Sequence, residues 1–130
     1  MNYRLRKSER LHADKLIKEL FNEGSSFFLY PFKVQFIVKK DLIGGTSQVL
    51  FSVSKKKIKK AVGRNFVKRT MREAYRLNKS IIPTSAPIMS IGLIYVSSEL
   101  MEFSEIQTKI ILALKKLASI VGEVPSQPEI

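Results

Sequence analysis

A single α+β domain, with helices laid on a small sheet, is the fold that this 130-residue sequence predicts. Three observations predict it. Phe32, Val34, Phe36 and Val38 alternate at period two, which marks a half-buried strand. Residues 13–24 and 105–121 carry their apolar side chains at helical spacing instead. No internal repeat or Gly/Ser linker divides the chain, and a 45% hydrophobic content at this length suffices for one sizeable core. The domain is expected to span residues 1–122, with 123–130 as a disordered tail.

The elements follow in order. The first sixteen residues are basic but lack the apolar core of a secretory signal. Within 13-ADKLIKELFNEG-24, Leu16, Ile17, Leu20 and Phe21 share one helical face, and Gly24 stands as the stop. The strand 32-FKVQFIV-38 leads through the turn-rich 41–48 into 49-VLFSVS-54, rich in β-branched and aromatic residues; together they suggest an antiparallel pair. A basic segment opens the next helix. Two prolines then break 80-SIIPTSAP-87. The apolar run 88-IMSIGLIYV-96 reads as a strand buried on both faces. Ser104 and Gln107 form a capping-box pattern ahead of a final helix. That helix carries Ile106, Ile110, Leu114, Leu117 and Val121 as its stripe and ends at Gly122. The order is α-β-β-α-β-α, with room for one more short strand.

Charge is concentrated in one place. Residues 55-KKKIKKAVGRNFVKRTMREAYRLNK-79 hold +10 of the formal +12. Such an excess repels itself unless a polyanion offsets it. With Arg64 at 0° on a wheel of ~100° per residue, Lys68, Lys79, Arg72, Asn65, Arg76 and Arg69 fall between roughly 40° and 140°. Leu77, Thr70, Ala74, Val67 and Met71 occupy roughly 220° to 340° on the same wheel. Arg64, Lys68, Arg72 and Arg76, each four apart, form a like-charge ridge that costs a few tenths of a kcal/mol per pair when unaccompanied. Arginine's planar fork suits phosphate.

Membrane, DNA and RNA compete as that polyanion. No apolar run reaches the ~18–20 residues of a membrane span, and the apolar face of the helix is too small to insert into a bilayer surface. Strands before the helix and a proline-rich loop after it leave no helix-turn-helix pair for duplex DNA. Structured RNA, bound through phosphate and shape, fits best.

These residues also resemble a known family. The run 52-SVSKKKIKKAVGRNFVKRTMREAYR-76 is similar to the signature of the bacterial ribonuclease P protein subunit. The matching positions are Ser52, Val53, Ser54, Lys55, Lys56, Ala61, Val62, Arg64, Asn65, Lys68, Arg69, Arg72 and Glu73. The resemblance implies a two-layer α-β-β-β-α-β-α sandwich with a mainly antiparallel sheet and a left-handed β-α-β crossover, against the usual handedness. It implies that a catalytic RNA partner removes the 5′ leader of precursor tRNA with Mg2+, and that the protein assists. Lys55, Lys56, Arg64, Asn65, Lys68, Arg69 and Arg72, joined on the same surface by Lys59, Lys60 and Arg76, would hold that RNA. Phe21, Phe32, Val34 and Phe36 would line a cleft for the leader, although core is an equal reading of the strand residues. Phe66 departs from the family, which usually has a basic residue there, and Ile17 and Gln35 stand where related chains can carry aromatics.

The chain itself offers little for hydrolysis. It has no cysteine and one histidine, His12, without a carboxylate cluster beside it. Ser54 and Lys57 match S-x-x-K only by coincidence within a lysine run, and Gly44-Gly45 lacks the Lys-Ser/Thr ending of a phosphate loop. A cytoplasmic location is expected, the absence of cysteine suiting a reducing compartment. The alternative to a ribonuclease P subunit is a non-enzymatic structured-RNA-binding or ribosome-associated protein.

Overall fold

In the computed structural model, which describes residues 14–43, 47–83 and 86–123, the alternation at Phe32 becomes the longest strand of a four-stranded sheet. The elements are α1 (Asp14–Glu23), β1 (Ser25–Leu29), β2 (Phe32–Ile43), β3 (Gln48–Val53), α2 (Ala61–Asn78), a 3-10 turn (Lys79–Ile81), β4 (Pro87–Tyr95) and α3 (Phe103–Glu123). The extra short strand is β1. Its Ser-rich start and the following Tyr30–Pro31 turn hide it from a periodicity reading.

The sheet order is β1-β2-β4-β3. β1 and β2 form an antiparallel hairpin, with Phe27 opposite Val34. The antiparallel pairing expected between β2 and β3 does not form. β4 lies between them, antiparallel to β2 (Val34 opposite Leu93) and parallel to β3 (Phe51 opposite Leu93). The reason is burial: β4 is the most continuously apolar strand, so it takes the central position, and a parallel neighbour then requires the α2 crossover.

Pleating sends Phe32, Val34 and Phe36 of β2, Phe51 and Val53 of β3, and Ile91, Leu93 and Tyr95 of β4 to one face. There they meet Val67, Met71 and Ala74 of α2 and Ile106, Ile110, Leu114, Leu117 and Val121 of α3 in one core. The whole predicted stripe of α3 is buried. Its cap is displaced from the expected position. Glu102 N–H reaches Glu105 Oε1 at 3.4 Å, while Gln107 Oε1 accepts from Asn78 Nδ2 at 3.0 Å and ties α3 to the end of α2.

Among the described residues, the opposite sheet face is covered only by the short α1. Leu20, fully buried, rests over Gly92, where an added Cβ would lie 3.1 Å from Leu20 Cδ2. Lys39 Nζ and Glu19 Oε1, 2.9 Å apart, tie the same helix to β2. Gly24 follows the last helical residue, its N–H donating to Leu20 O at 3.0 Å. Among the described residues no helix is long and apolar enough to cross a membrane.

Replacing Gly92 with valine fills the seat of Leu20. It should cost about 1–3 kcal/mol of stability by denaturant unfolding. It should also speed amide exchange across 14–23 more than in α2 or α3.

Candidate nucleic-acid interface

The lysine run is an ordered loop. Ser54 N–H donates to Tyr95 O at 3.0 Å, and Ser54 O accepts from the N–H groups of Lys57 at 3.2 Å and Ile58 at 3.1 Å. Ile58, the one apolar residue in KKKIKK, is buried and anchors the loop. Its burial contributes about 1.5–3 kcal/mol. Lys55, Lys56, Lys57, Lys59 and Lys60 are all left exposed around it. Arg64 Nη1 reaches back from α2 to donate to Ile58 O at 3.0 Å and Lys59 O at 2.7 Å. The residue expected to lead the phosphate contacts therefore first holds the loop in shape.

The start of α2 adds to this field. Lys60, at the helix cap, makes no side-chain cap hydrogen bond, and no acid sits in the first turn. The positive end of the helix is thus unopposed from its own first turn. The buried side of α2 comprises Gly63, Val67, Thr70, Met71, Ala74 and Tyr75. Tyr75 packs edge-on against Phe51, ring centres 5.7 Å apart, whereas Leu77, expected on the apolar face, is exposed. This rotates the burial arc. Arg64, Lys68 and Arg72 become a half-buried seam beside β3, with the Arg72 guanidinium 5.9 Å from the Phe51 ring centre. Asn65 and Arg69 point outward.

Arg76 is engaged within the helix. Its Nε and Nη2 donate to the two carboxylate oxygens of Glu73 at 3.1 and 2.6 Å. The Arg76 hydrogen bond holds the Glu73 carboxyl below its ordinary range, and Arg76 is raised in turn. The pair persists at neutral pH and is lost as pH falls through the depressed Glu73 pKa.

The leader-cleft expectation needs correction. Phe32 and Val34 are 0% exposed and Phe36 is 8% exposed, all in the core beneath α2 and α3, so they present no ring or methyl to a nucleotide. Of the four expected residues only Phe21, 43% exposed, remains accessible. The face beside α1 is built from the other parity of β2 and its partners. Lys33 is exposed there opposite Phe28, and Gln35 is buried with its Oε1 making no hydrogen bond to the described residues. Exposed Phe28 and Tyr30, ring centres 6.4 Å apart, stand at its edge. The signal was the same alternation read on its polar positions, Lys33 and Gln35.

Among the described residues no three His, Cys, Asp or Glu side chains gather to hold a metal ion. Ser54 and Lys57 close a backbone turn. His12 and Gly44-Gly45 lie outside the described residues.

The geometry can be set beside known proteins. The Ribonuclease P family pattern matches residues 5–118. The ribonuclease P protein component of Porphyromonas gingivalis is 38% identical over 126 residues, covering 94% of this chain and 90% of that one. That of Chlorobium phaeobacteroides is 44% identical over 78 residues, 58% of this chain and 53% of the relative. The solved structure of the Staphylococcus aureus RNase P protein superposes with a TM-score of 0.69 at 25% identity, covering 88% of this chain and 99% of its own. The Thermotoga maritima RNase P protein, solved with 1-(4-fluorophenyl)-2-thiourea, gives 0.68 at 28% identity over 82% of this chain and 98% of its own.

Arg64 and Arg69 should separate cleanly in stability. Arg64→Ala removes two donors from loop carbonyls and should cost about 1–2 kcal/mol. Arg69→Ala should stay within about 0.5 kcal/mol of the wild type in the same denaturant titration.

Proposed function

The chain belongs to the ribonuclease P protein family, and from that membership we propose how its surfaces serve the enzyme. As a protein subunit of the ribonuclease P endonuclease it works in tRNA processing, in association with the ribonuclease P RNA. The single observation that carries the surface assignment is the continuous cationic face. Five exposed lysines on an ordered loop lead directly into α2, whose Asn65 and Arg69 face outward. On this reading Lys55, Lys56, Lys59, Lys60, Asn65 and Arg69 make the outermost phosphate contacts to the RNA. Lys68 and Arg72 supply a second row at the seam, and Arg64 shapes the loop while adding its charge.

Precursor tRNA is the substrate, and its single-stranded 5′ leader runs along the sheet face beside α1. Phe21 offers a ring for a base and Lys33 a cation for a phosphate. Hydrolysis belongs to the RNA. The Mg2+ of the cleavage reaction is taken as held by the RNA, and no step runs through this chain.

Reconstitution tests the reading. Added to a bacterial ribonuclease P RNA and precursor tRNA at low magnesium, the protein should raise correct 5′ cleavage over RNA alone; no gain overturns the assignment. Lys33→Ala should weaken holoenzyme affinity for leader-bearing precursor and flatten its log–log salt slope by up to about 1, with affinity for the catalytic RNA unchanged. Glu73→Gln should release Arg76 from its carboxylate, tighten binding to the catalytic RNA and steepen the log–log salt dependence by up to about 1.

A further inference from the structure

Phe66 is 41% exposed and does not join the core. It lies at one wall of a groove of about 640 Å³ at the start of α2. Val62, 80% exposed, stands one helical turn before it, and Leu100, 54% exposed, faces them from the β4–α3 turn. Ile58 lies at the base and Lys59 and Lys60 stand among the lining, which includes no acidic side chain. The groove is built rather than incidental. Gly63 lets Ile58 approach to where a Cβ would meet its Cγ2 at 2.9 Å, so any larger residue there would disturb the base. The turn bearing Leu100 is held by Tyr30 Oη donating to Ser97 Oγ at 2.9 Å and by Glu99 N–H donating to the same oxygen at 3.1 Å.

We propose that this groove receives one unpaired nucleobase of the ribonuclease P RNA, stacked on Phe66 and flanked by Val62 and Leu100. The inference rests on the subunit reading above. Two observations select a base over a protein side chain. The groove is continuous with the phosphate-facing surface, since Phe66 and the outward Arg69 are three apart and therefore adjacent on α2. Its rim is cationic, so a base entering it brings its own phosphate toward Lys59, Lys60 or Arg69 and meets no carboxylate on the lining. An aromatic face accepts any base, whereas the apolar neighbours exclude water and favour one that is unpaired and unstacked. The volume falls in the ~300–1,000 Å³ range of ligand clefts, ample for one base.

The test uses the full chain with a bacterial ribonuclease P RNA. Phe66→Ala should weaken RNA binding at least about fivefold, as loss of one stacked base does, while leaving the log–log salt slope unchanged. Arg69→Ala should instead flatten that slope. Probing with base-modifying reagents should show one unpaired base protected by wild type and exposed with Phe66→Ala. Phe66→Leu keeps the apolar volume without the ring, guards against loss of fold, and should also lose the protection; Phe66→Tyr should keep it. Wild type that binds the RNA with a base footprint identical to those of Phe66→Ala and Phe66→Leu overturns the groove assignment alone. Wild type that does not bind the RNA overturns the subunit reading and this inference with it. A dimer in sedimentation that dissolves on Phe66→Ala, with the RNA footprint unchanged, assigns the groove to a second copy and overturns the proposal.

Discussion

The burial of one side of α2 is the constraint on which the rest of the surface depends. Val67, Met71 and Ala74 lock the helix over β3 and against α3, and Tyr75 closes the contact edge-on to Phe51. That packing decides which direction every cation on the helix faces. Without it, α2 would be a like-charge helix that repels itself, with helix propensity alone too weak to hold it. With it, the cost of gathering the charges is offset by apolar burial on the other side. The crossover role of α2 strengthens the arrangement, since β3 and β4 can pair in parallel only if the helix connects them over the core face.

The cations so displayed are not equivalent. Arg64 is committed to the carbonyls of Ile58 and Lys59, Arg76 to Glu73, and Arg72 lies over Phe51. Lysines 55, 56, 57, 59 and 60 surround buried Ile58 and stay in solvent. The loop therefore presents mobile point charges, while the helix presents arginines whose directions are set by neighbours. A long RNA surface suits such a division, with lysines meeting phosphates of varied position and fixed guanidinium forks meeting those of defined geometry.

The two sheet faces have different purposes for a reason visible in their covers. One carries α2 and α3 and is a core. Among the described residues the other carries only α1, whose Leu20 settles over Gly92, while Lys33 stays in solvent and Gln35 lies buried. A sheet with one face only partly covered has an accessible strip of backbone-supported side chains, rigid enough to hold an extended strand of nucleic acid.

The sequence by itself determined the types of the main elements other than β1, the α3 stripe, the burial of β4 and the separation of charged and apolar sides on α2. Each of these depends on periodicity, which is local. The family signature, Arg64-Asn65 with Lys68-Arg69 and Arg72-Glu73, was equally legible because it too lies within one helix. Tertiary structure alone decided the rest. It placed β4 between β2 and β3, because strand pairing depends on which strand is most completely buried. It turned the Phe32–Val34–Phe36 parity to the core, because alternation names two faces without saying which one the helices will cover. It also drew Tyr75 inward and left Leu77 and Phe66 outside, because the burial arc of a helix is set by what it packs against and not by its own wheel.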